Sequence, residues 1–287
     1  MPVAVVTDST AYLPTGLAQR CGIRQVPLHV LVDGCHRLDG VQLGPAELVD
    51  VLARRVTVST SRPTPGEFEA VYTAAMRAGA DTIVSVHLSR ALSGTWESAQ
   101  LAAAQVGAGR VRVADSRSAG MGLGFAVLAA AAAAAAGADQ DTVYDTAERV
   151  GARTRTFFSV DTLEYLRRGG RISPAAALLG TALAVKPLLH VDSGRIVPLE
   201  KVRTAARARA RLVELAVQAA GSGPLDLAVH HLGAADRAAE LVDQLRARLP
   251  TLTECLLSEV GAAIGAHAGP GMLGVVVLPG GLQLASG

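Results

Sequence analysis

The sequence predicts an α/β fold, with a three-layer domain built on a mainly parallel sheet, followed by a second α+β domain. In the first half of the 287 residues, short apolar runs alternate with helical patterns, which favours parallel strands joined by helical crossovers. From about residue 155 the pattern changes to a hairpin and longer helices. We therefore expect two domains, 1–155 and 156–287, with the ligand site between them.

The first domain is predicted from its apolar runs and its helix start signals. Strands are expected at 3–7, 26–32, 82–88 and 111–114, and helices at 14–21, 45–54, 65–78, 95–105 and 121–138. Pro65 and Glu67 are typical of a first helical turn. Because ligands of parallel sheets bind at the carboxyl ends of the strands, the Ser-, Thr- and Asp-rich loops there are the first candidates for a site.

The second domain is predicted from turn residues and longer helical patterns. A strand is expected at 156–160, then helices at 163–168 and 174–183. A hairpin of 187–191 with 196–199 turns at Ser193-Gly194, a helix covers 203–220, and strands at 225–230 and 273–278 enclose further helices.

Composition excludes several classes of protein. A net charge of +2 and an aromatic content of 3% argue against broad phosphate neutralisation and base stacking, so no nucleic-acid partner is expected. Three widely spaced cysteines without a CxxC pair favour the cytoplasm and argue against a structural metal site.

Residues 121–138 approach the length of a membrane span, but alanine and glycine dominate them. We expect a buried packing helix and no integral membrane segment.

Ser93 has two interpretations. It lies between a predicted strand and helix, where a nucleophile elbow could form, but Ala91 stands where such an elbow needs glycine. The favoured alternative is that Ser93 caps the helix and binds an anion together with the free amides there.

Two further segments carry candidate ligands. Residues 59–61, Ser-Thr-Ser, are either an ordinary capping loop or donors to a carboxylate or phosphate. His267 stands in a glycine-rich stretch, 261–271, that indicates close backbone approach. It lacks metal ligands at helical spacing, so we expect a neutral hydrogen-bonding histidine and no metal.

Basic residues cluster at 167–171 and 200–211. Such runs are usually solvated faces. The competing interpretation is a surface that docks an acidic or phosphate-bearing partner.

A series of segments, in order along nearly the whole chain, resembles the DegV family of bacterial fatty-acid-binding proteins. The matching segments are VVTDST (5–10), TSRPTP (60–65), LSRALSGT (88–95), DS (115–116), LEYLRRGGRIS (163–173), KPL (186–188), GRI (194–196), KVRT (201–204) and HAGPG (267–271). Each segment alone is weak, whereas the series is specific. Arg62 and Arg90 depart from the family, which often has uncharged polar residues there.

The resemblance implies a cytoplasmic carrier that closes two domains over one long-chain fatty acid and needs no cofactor. It would present the fatty acid to a separate ATP-dependent fatty-acid kinase, whose acyl-phosphate product enters phospholipid synthesis. By the same resemblance, one set of residues would hold the carboxylate: Ser59, Thr60, Ser61, Ser93, Gly94, Thr95 and His267. Arg171 would lie at the pocket rim, and Lys201 and Arg203 in the segment that meets the kinase. The alternative is an acyl-ester hydrolase using Ser93 and His267.

Overall fold

The computed structural model describes residues 2–173 and 185–282. The strands are β1 (Val3–Asp8), β2 (Arg24–Val26), β3 (His29–Val32), β4 (Cys35–Leu38), β5 (Val58–Ser61), β6 (Thr82–His87), β7 (Val111–Asp115), β8 (Arg155–Ser159), β9 (Lys186–Asp192), β10 (Arg195–Val202), β11 (Leu225–His231), β12 (Leu252–Glu259) and β13 (Leu273–Pro279). The α-helices in these ranges are α1 (Leu17–Arg20), α2 (Pro45–Ala53), α3 (Pro65–Arg77), α4 (Thr95–Val106), α5 (Met121–Ala135), α6 (Gln140–Arg153), α7 (Glu164–Arg168), α8 (Ala205–Ala220), α9 (Ala235–Arg248) and α10 (Ala262–Ala268).

The first half contains the predicted three-layer unit. Its central sheet is all parallel, in the order β2-β1-β6-β7. Side chains alternate across this sheet, so that Val5 and Val84 share a hydrophobic cluster with α5 and α6, while Val6 and Ile83 pack with α3 and α4. The expected start of α3 is confirmed, because Thr64 and Glu67 form a reciprocal capping box behind Pro65.

Helix α5 is the alanine-rich segment, and it is a packing helix as expected. Every residue from Met121 to Ala131 is buried, and its cluster includes Val276 and Leu278 of β13 as well as the parallel sheet. Since it is apolar on all sides, it needs cover on all sides. None of the helices in the described ranges combines the length and apolarity needed to cross a membrane.

The second half is built on a six-stranded sheet in the order β10-β9-β8-β13-β11-β12. Only β11 and β12 pair in parallel. Helices α8 and α9 cover one face. The proposed boundary near residue 155 falls between α6 and β8, while the shared cluster around α5 joins the two halves, and the division into two domains stays a prediction.

A third, antiparallel sheet, β4-β3-β5, was not foreseen. The predicted strand 26–32 is instead two strands in two sheets, because Pro27 has no N–H to continue the ladder. Residues 59–61 are not a loop: they belong to β5, where Thr60 pairs with Val30. Strand β12 was also missed. The predicted helix 174–183 lies outside the described residues.

Candidate functional site

A cavity of about 960 Å³, including its open mouth, lies where the three sheets meet. Most of its wall is apolar: Leu28, Leu88, Leu92, Phe158, Leu166, Val191, Ile196, Val260, Ile264, Met272 and Val276 line it. Its polar lining includes Thr60, Ser61, Arg62, Ser93, Arg171 and His267. These polar residues come from β5, the loop before α4, the segment after α7, and α10, so four distant parts of the chain converge on one part of the cavity.

His267 and Thr60 make the central contact of this polar cluster. Nε2 of His267 lies 2.7 Å from Oγ1 of Thr60. Nδ1 is buried and has no hydrogen-bond partner in the part of the chain that the structure describes. Gly169 packs against Nδ1 so closely that a Cβ there would overlap the ring. Burial, aided by the positive charge of Arg171, lowers the pKa of His267 to about 4, so the imidazole is neutral at pH 7.

The glycines around His267 allow close approach, as expected, but the segment is a helix. Gly265 brings α10 against Leu48 and Leu232, and Gly269 lies on the ring of Tyr165 with a φ of 78°. Close packing of α10 on protein side chains is therefore the reason for this glycine density.

Ser93 lies just outside α4 and is not its cap. Gly94 is the N-cap residue, with no side-chain capping bond, which corrects the expectation for Ser93. The Ser93 hydroxyl instead lies 2.9 Å from Oγ1 of the fully buried Thr95. The first N–H groups of an α-helix have no intrahelical acceptor, so Ser93 stands beside free amide donors.

Arg171 is half-buried beside this turn. Its Nε donates to the carbonyl of Leu92 at 3.2 Å, and its Nη1 donates to the carbonyl of Gly169. Burial lowers the pKa of the guanidinium, which nevertheless stays charged at neutral pH. No carboxylate pairs with it among the described residues, so the site holds an uncompensated positive charge.

The remaining predicted site residues lie in different positions. Ser61, at the end of β5, lines the cavity, whereas Ser59 is exposed and is absent from the lining. Gly94 is covered by the side chain of Arg62. Lys201 and Arg203 are exposed and lie outside the cavity wall.

His230 lines the same cavity and is a site residue that sequence reasoning missed. Its Nε2 accepts a hydrogen bond from the backbone N–H of Met121 at 2.8 Å, which satisfies one free amide of α5. Its Nδ1 lies 3.0 Å from the Ser258 hydroxyl. Burial lowers its pKa to about 4.

Asp39 is a second residue that sequence reasoning missed. It is buried and accepts hydrogen bonds from Ser9 Oγ at 2.7 Å, Tyr12 OH at 3.1 Å and the N–H of Ala263 at 3.2 Å. Since Ala263 is in the first turn of α10, Asp39 holds the helix that carries His267. Its only local signal is an Asp-Gly pair after a short strand.

A fully buried polar network joins strands β1 and β6 of the parallel sheet to helix α3. His87 Nδ1 lies 3.0 Å from Asp8 Oδ2, and His87 Nε2 lies 2.7 Å from Ser85 Oγ, which accepts from Tyr72 OH at 2.8 Å. The connectivity is that of a serine–histidine–aspartate triad, but Ser85 is fully buried and does not line the cavity.

Ser93 and His267, the pair of the hydrolase hypothesis, are not joined by a hydrogen bond within the described ranges. The serine is engaged with Thr95 and the histidine with Thr60. A nucleophilic triad would require a carboxylate that orients Nδ1 of His267, and none of the described residues supplies one.

The fold and the site thus define an α/β protein with a largely apolar ligand cavity that carries a cationic, donor-rich polar cluster. The family model described as "Uncharacterised protein, DegV family" matches residues 2–280. A DegV domain-containing protein of Streptomyces coelicolor is 53% identical over 96% of this chain and 98% of its own length. The chain belongs to the DegV family.

Solved structures of relatives share the whole fold. A DegV family protein from Thermus thermophilus, described for its fatty-acid binding, matches with a TM-score of 0.92 and 36% identity, covering 97% of this chain and 100% of that one. DegV of Bacillus subtilis, described as a fatty acid binding protein, matches with a TM-score of 0.87 and 35% identity, covering 96% and 99%. These matches confirm the predicted fold class and family resemblance.

Proposed function

We propose that this protein binds one long-chain fatty acid, with the tail in the apolar part of the cavity and the carboxylate at Thr60, Ser93 and His267. The observation that carries the proposal is the combination of apolar walls with a polar cluster that has free donors and, among the residues that the structure describes, no counter-anion. A ligand with a long apolar chain and one anionic end matches both parts. The fatty-acid binding described for the relatives from T. thermophilus and B. subtilis supports the same ligand.

The energetics favour this ligand. Burying a tail of about 16 carbons contributes on the order of 12 kcal/mol, at about 0.8 kcal/mol per methylene. Taking the carboxylate out of water cancels much of this gain unless several donors meet it. The hydroxyls of Thr60 and Ser93, the amides at the start of α4 and the nearby Arg171 supply donors and positive charge of the required kind.

We further propose that the bound carboxylate is presented to a separate ATP-dependent kinase in the cytoplasm. There a carboxylate oxygen would bond to the γ-phosphorus of ATP as ADP leaves, giving an acyl phosphate for phospholipid synthesis. This chain would act as carrier and not as catalyst. The open cavity mouth supports presentation of the head group, and exposed Lys201 and Arg203 offer positive charge to a partner.

Organic extraction of the purified protein, followed by mass spectrometry, tests the binding. We expect about one fatty acid per chain. The delipidated protein should then bind added fatty acid in calorimetric titration. Thr60→Val, which removes one hydroxyl and keeps the β-branched shape, should weaken that binding about tenfold, the worth of one hydrogen bond to a charged group.

Thr57→Val is the matched control, because Thr57 precedes the same strand but is exposed and outside the cavity. It should bind like the wild type. A fatty-acid-free extract together with no binding by the delipidated protein would refute the proposal. Turnover of acyl esters by the isolated chain, abolished by Ser93→Ala, would establish the hydrolase instead.

A further inference from the structure

Arg62 occupies an unusual place at the cavity mouth. It follows β5, is exposed, and lines the cavity. Its guanidinium lies directly over Gly94, where a Cβ would overlap Nη1. The side chain therefore depends on the glycine at position 94, and it reaches from one loop of the polar cluster to the other.

Arg62 has no carboxylate or hydrogen-bond partner in the described part of the chain, unlike Arg90 and Arg168. Arg90 stacks on Trp96 and lies 3.8 Å from Glu97. Arg168 pairs with Glu164. The guanidinium of Arg62 therefore lines the cavity without a neutralising partner among the described residues.

Arg171 provides a second guanidinium on the same turn. It contacts the carbonyl of Leu92, while Arg62 covers Gly94, so the turn 92–94 has a positive charge on each side. Both arginines line the cavity, and neither has an acidic partner within the described residues. Like charges at one site repel each other, and an anion carrying more than one charge relieves that repulsion best.

The two arginines differ in depth. Arg171 is half-buried near His267, while Arg62 is exposed. A carboxylate held by Thr60, Ser93 and His267 already meets Arg171 and carries a single charge. A phosphoryl group on that carboxylate would extend outward and add charge, and a guanidinium binds phosphate oxygens in a fork.

We propose that Arg62 is a specificity-determining residue that makes this cavity bind a phosphorylated acyl chain more tightly than the parent fatty acid. The inference rests on the proposed fatty-acid binding.

The test compares two ligands with the same 15-carbon tail on the delipidated protein, hexadecanoate and the non-hydrolysable 2-oxoheptadecylphosphonate, in which a methylene replaces the bridging oxygen of hexadecanoyl phosphate. The pH is one at which the phosphonate is dianionic. Arg62→Gln should weaken phosphonate binding about tenfold or more and hexadecanoate binding by less than about threefold. The phosphonate-to-carboxylate affinity ratio should therefore fall. Arg90→Gln is the matched control, since it removes an exposed arginine that does not line the cavity, and it should leave the ratio unchanged.

A second variant moves the Arg62 side chain away from its position over Gly94 but keeps its positive charge. Gly94→Ala displaces the Arg62 side chain and should lower the same ratio. Equal weakening of both ligands by Arg62→Gln, or an unchanged ratio, would overturn the inference, as would a wild type that binds hexadecanoate but not the phosphonate. If the wild type binds neither ligand, the proposed fatty-acid binding itself fails.

Discussion

Two polar clusters in this molecule contain similar side chains, but one is enclosed in the core and the other lines the cavity. In the buried network, Asp8, His87 and Ser85 are each fully enclosed. Both carboxylate oxygens of Asp8 accept hydrogen bonds, Oδ1 from Thr10 and Oδ2 from His87 and the N–H of Leu88. In the cavity cluster, Thr60 and His267 bond each other, but Nδ1 of His267 stays unpaired.

The two clusters differ in whether a ligand can reach them and in whether all their polar atoms have hydrogen-bond partners. A closed, fully bonded polar network contributes to stability, because every buried group has its partner. A cluster that keeps free donors and positive charge beside a cavity is incomplete without a ligand. The triad-like geometry of the first cluster therefore indicates structure, and the less regular second cluster indicates binding. Three substitutions separate the two roles.

The largest effect is expected for Asp8→Ala. It leaves the N–H groups of Thr10 and Leu88 and the imidazole of His87 without their common acceptor. The free energy of unfolding should fall by about 3–5 kcal/mol, as for other broken buried charge networks. Urea denaturation measures this loss. Asp115→Ala is the control, because Asp115 ends strand β7 of the same sheet but is less buried. An equal loss in both variants would contradict a special role for the network.

His230 lies between the two cases, because it lines the cavity and yet is fully bonded. Its pKa is lowered to about 4 in the folded protein, against an ordinary value near 6.5. The unfolded chain thus binds a proton first as the pH falls. Stability should decrease between about pH 6.5 and pH 4, by about 3 kcal/mol for this group.

His230→Gln tests this dependence, since its amide oxygen can accept from the N–H of Met121 but does not titrate. We expect the variant to lose less stability than the wild type when urea denaturation is repeated at about pH 7 and about pH 4.5. The pH dependence of stability that remains in the variant comes partly from His267, whose pKa is lowered in the same direction. Identical slopes in variant and wild type would show that His230 does not carry the dependence.

The smallest effect on stability is expected for His267→Ala. The side chain has one unpaired buried nitrogen, and alanine suits a helix, so unfolding should change by less than about 1 kcal/mol. Fatty-acid affinity should fall about tenfold, measured by titration of the delipidated protein. A large loss of stability with unchanged affinity would place His267 with the buried network.

Local sequence pattern was sufficient for much of the fold. The apolar runs of β1 and β6, the start of α3 at Pro65 and the uniform burial of α5 were all predicted from residues close together in the sequence. The residues alone singled out Ser93, the segment 59–61 and His267 as candidate ligands, and the resemblance added a shared role for them and a place for Arg171 at the pocket. The cavity brings Thr60, Ser93, Arg171 and His267 together.

What local pattern could not reveal depends on contacts between distant residues. The Ser-Thr-Ser segment becomes a strand only because β3 pairs with it, and that pairing separates Thr60 from the exposed Ser59. His230 gains its role from Met121, and Asp39 from Ala263. Neither partner is near in sequence, so propensity and spacing carry no information on them.

The all-apolar helix α5 also has a consequence for how the chain is synthesised. It leaves the ribosome long before β13, whose Val276 and Leu278 complete its cover. Domains generally begin to fold from the N-terminus during synthesis, and exposed apolar surface invites aggregation. The nascent chain therefore carries a partly uncovered apolar helix until β13 emerges, and a truncation before β13 would leave that part of its surface exposed permanently.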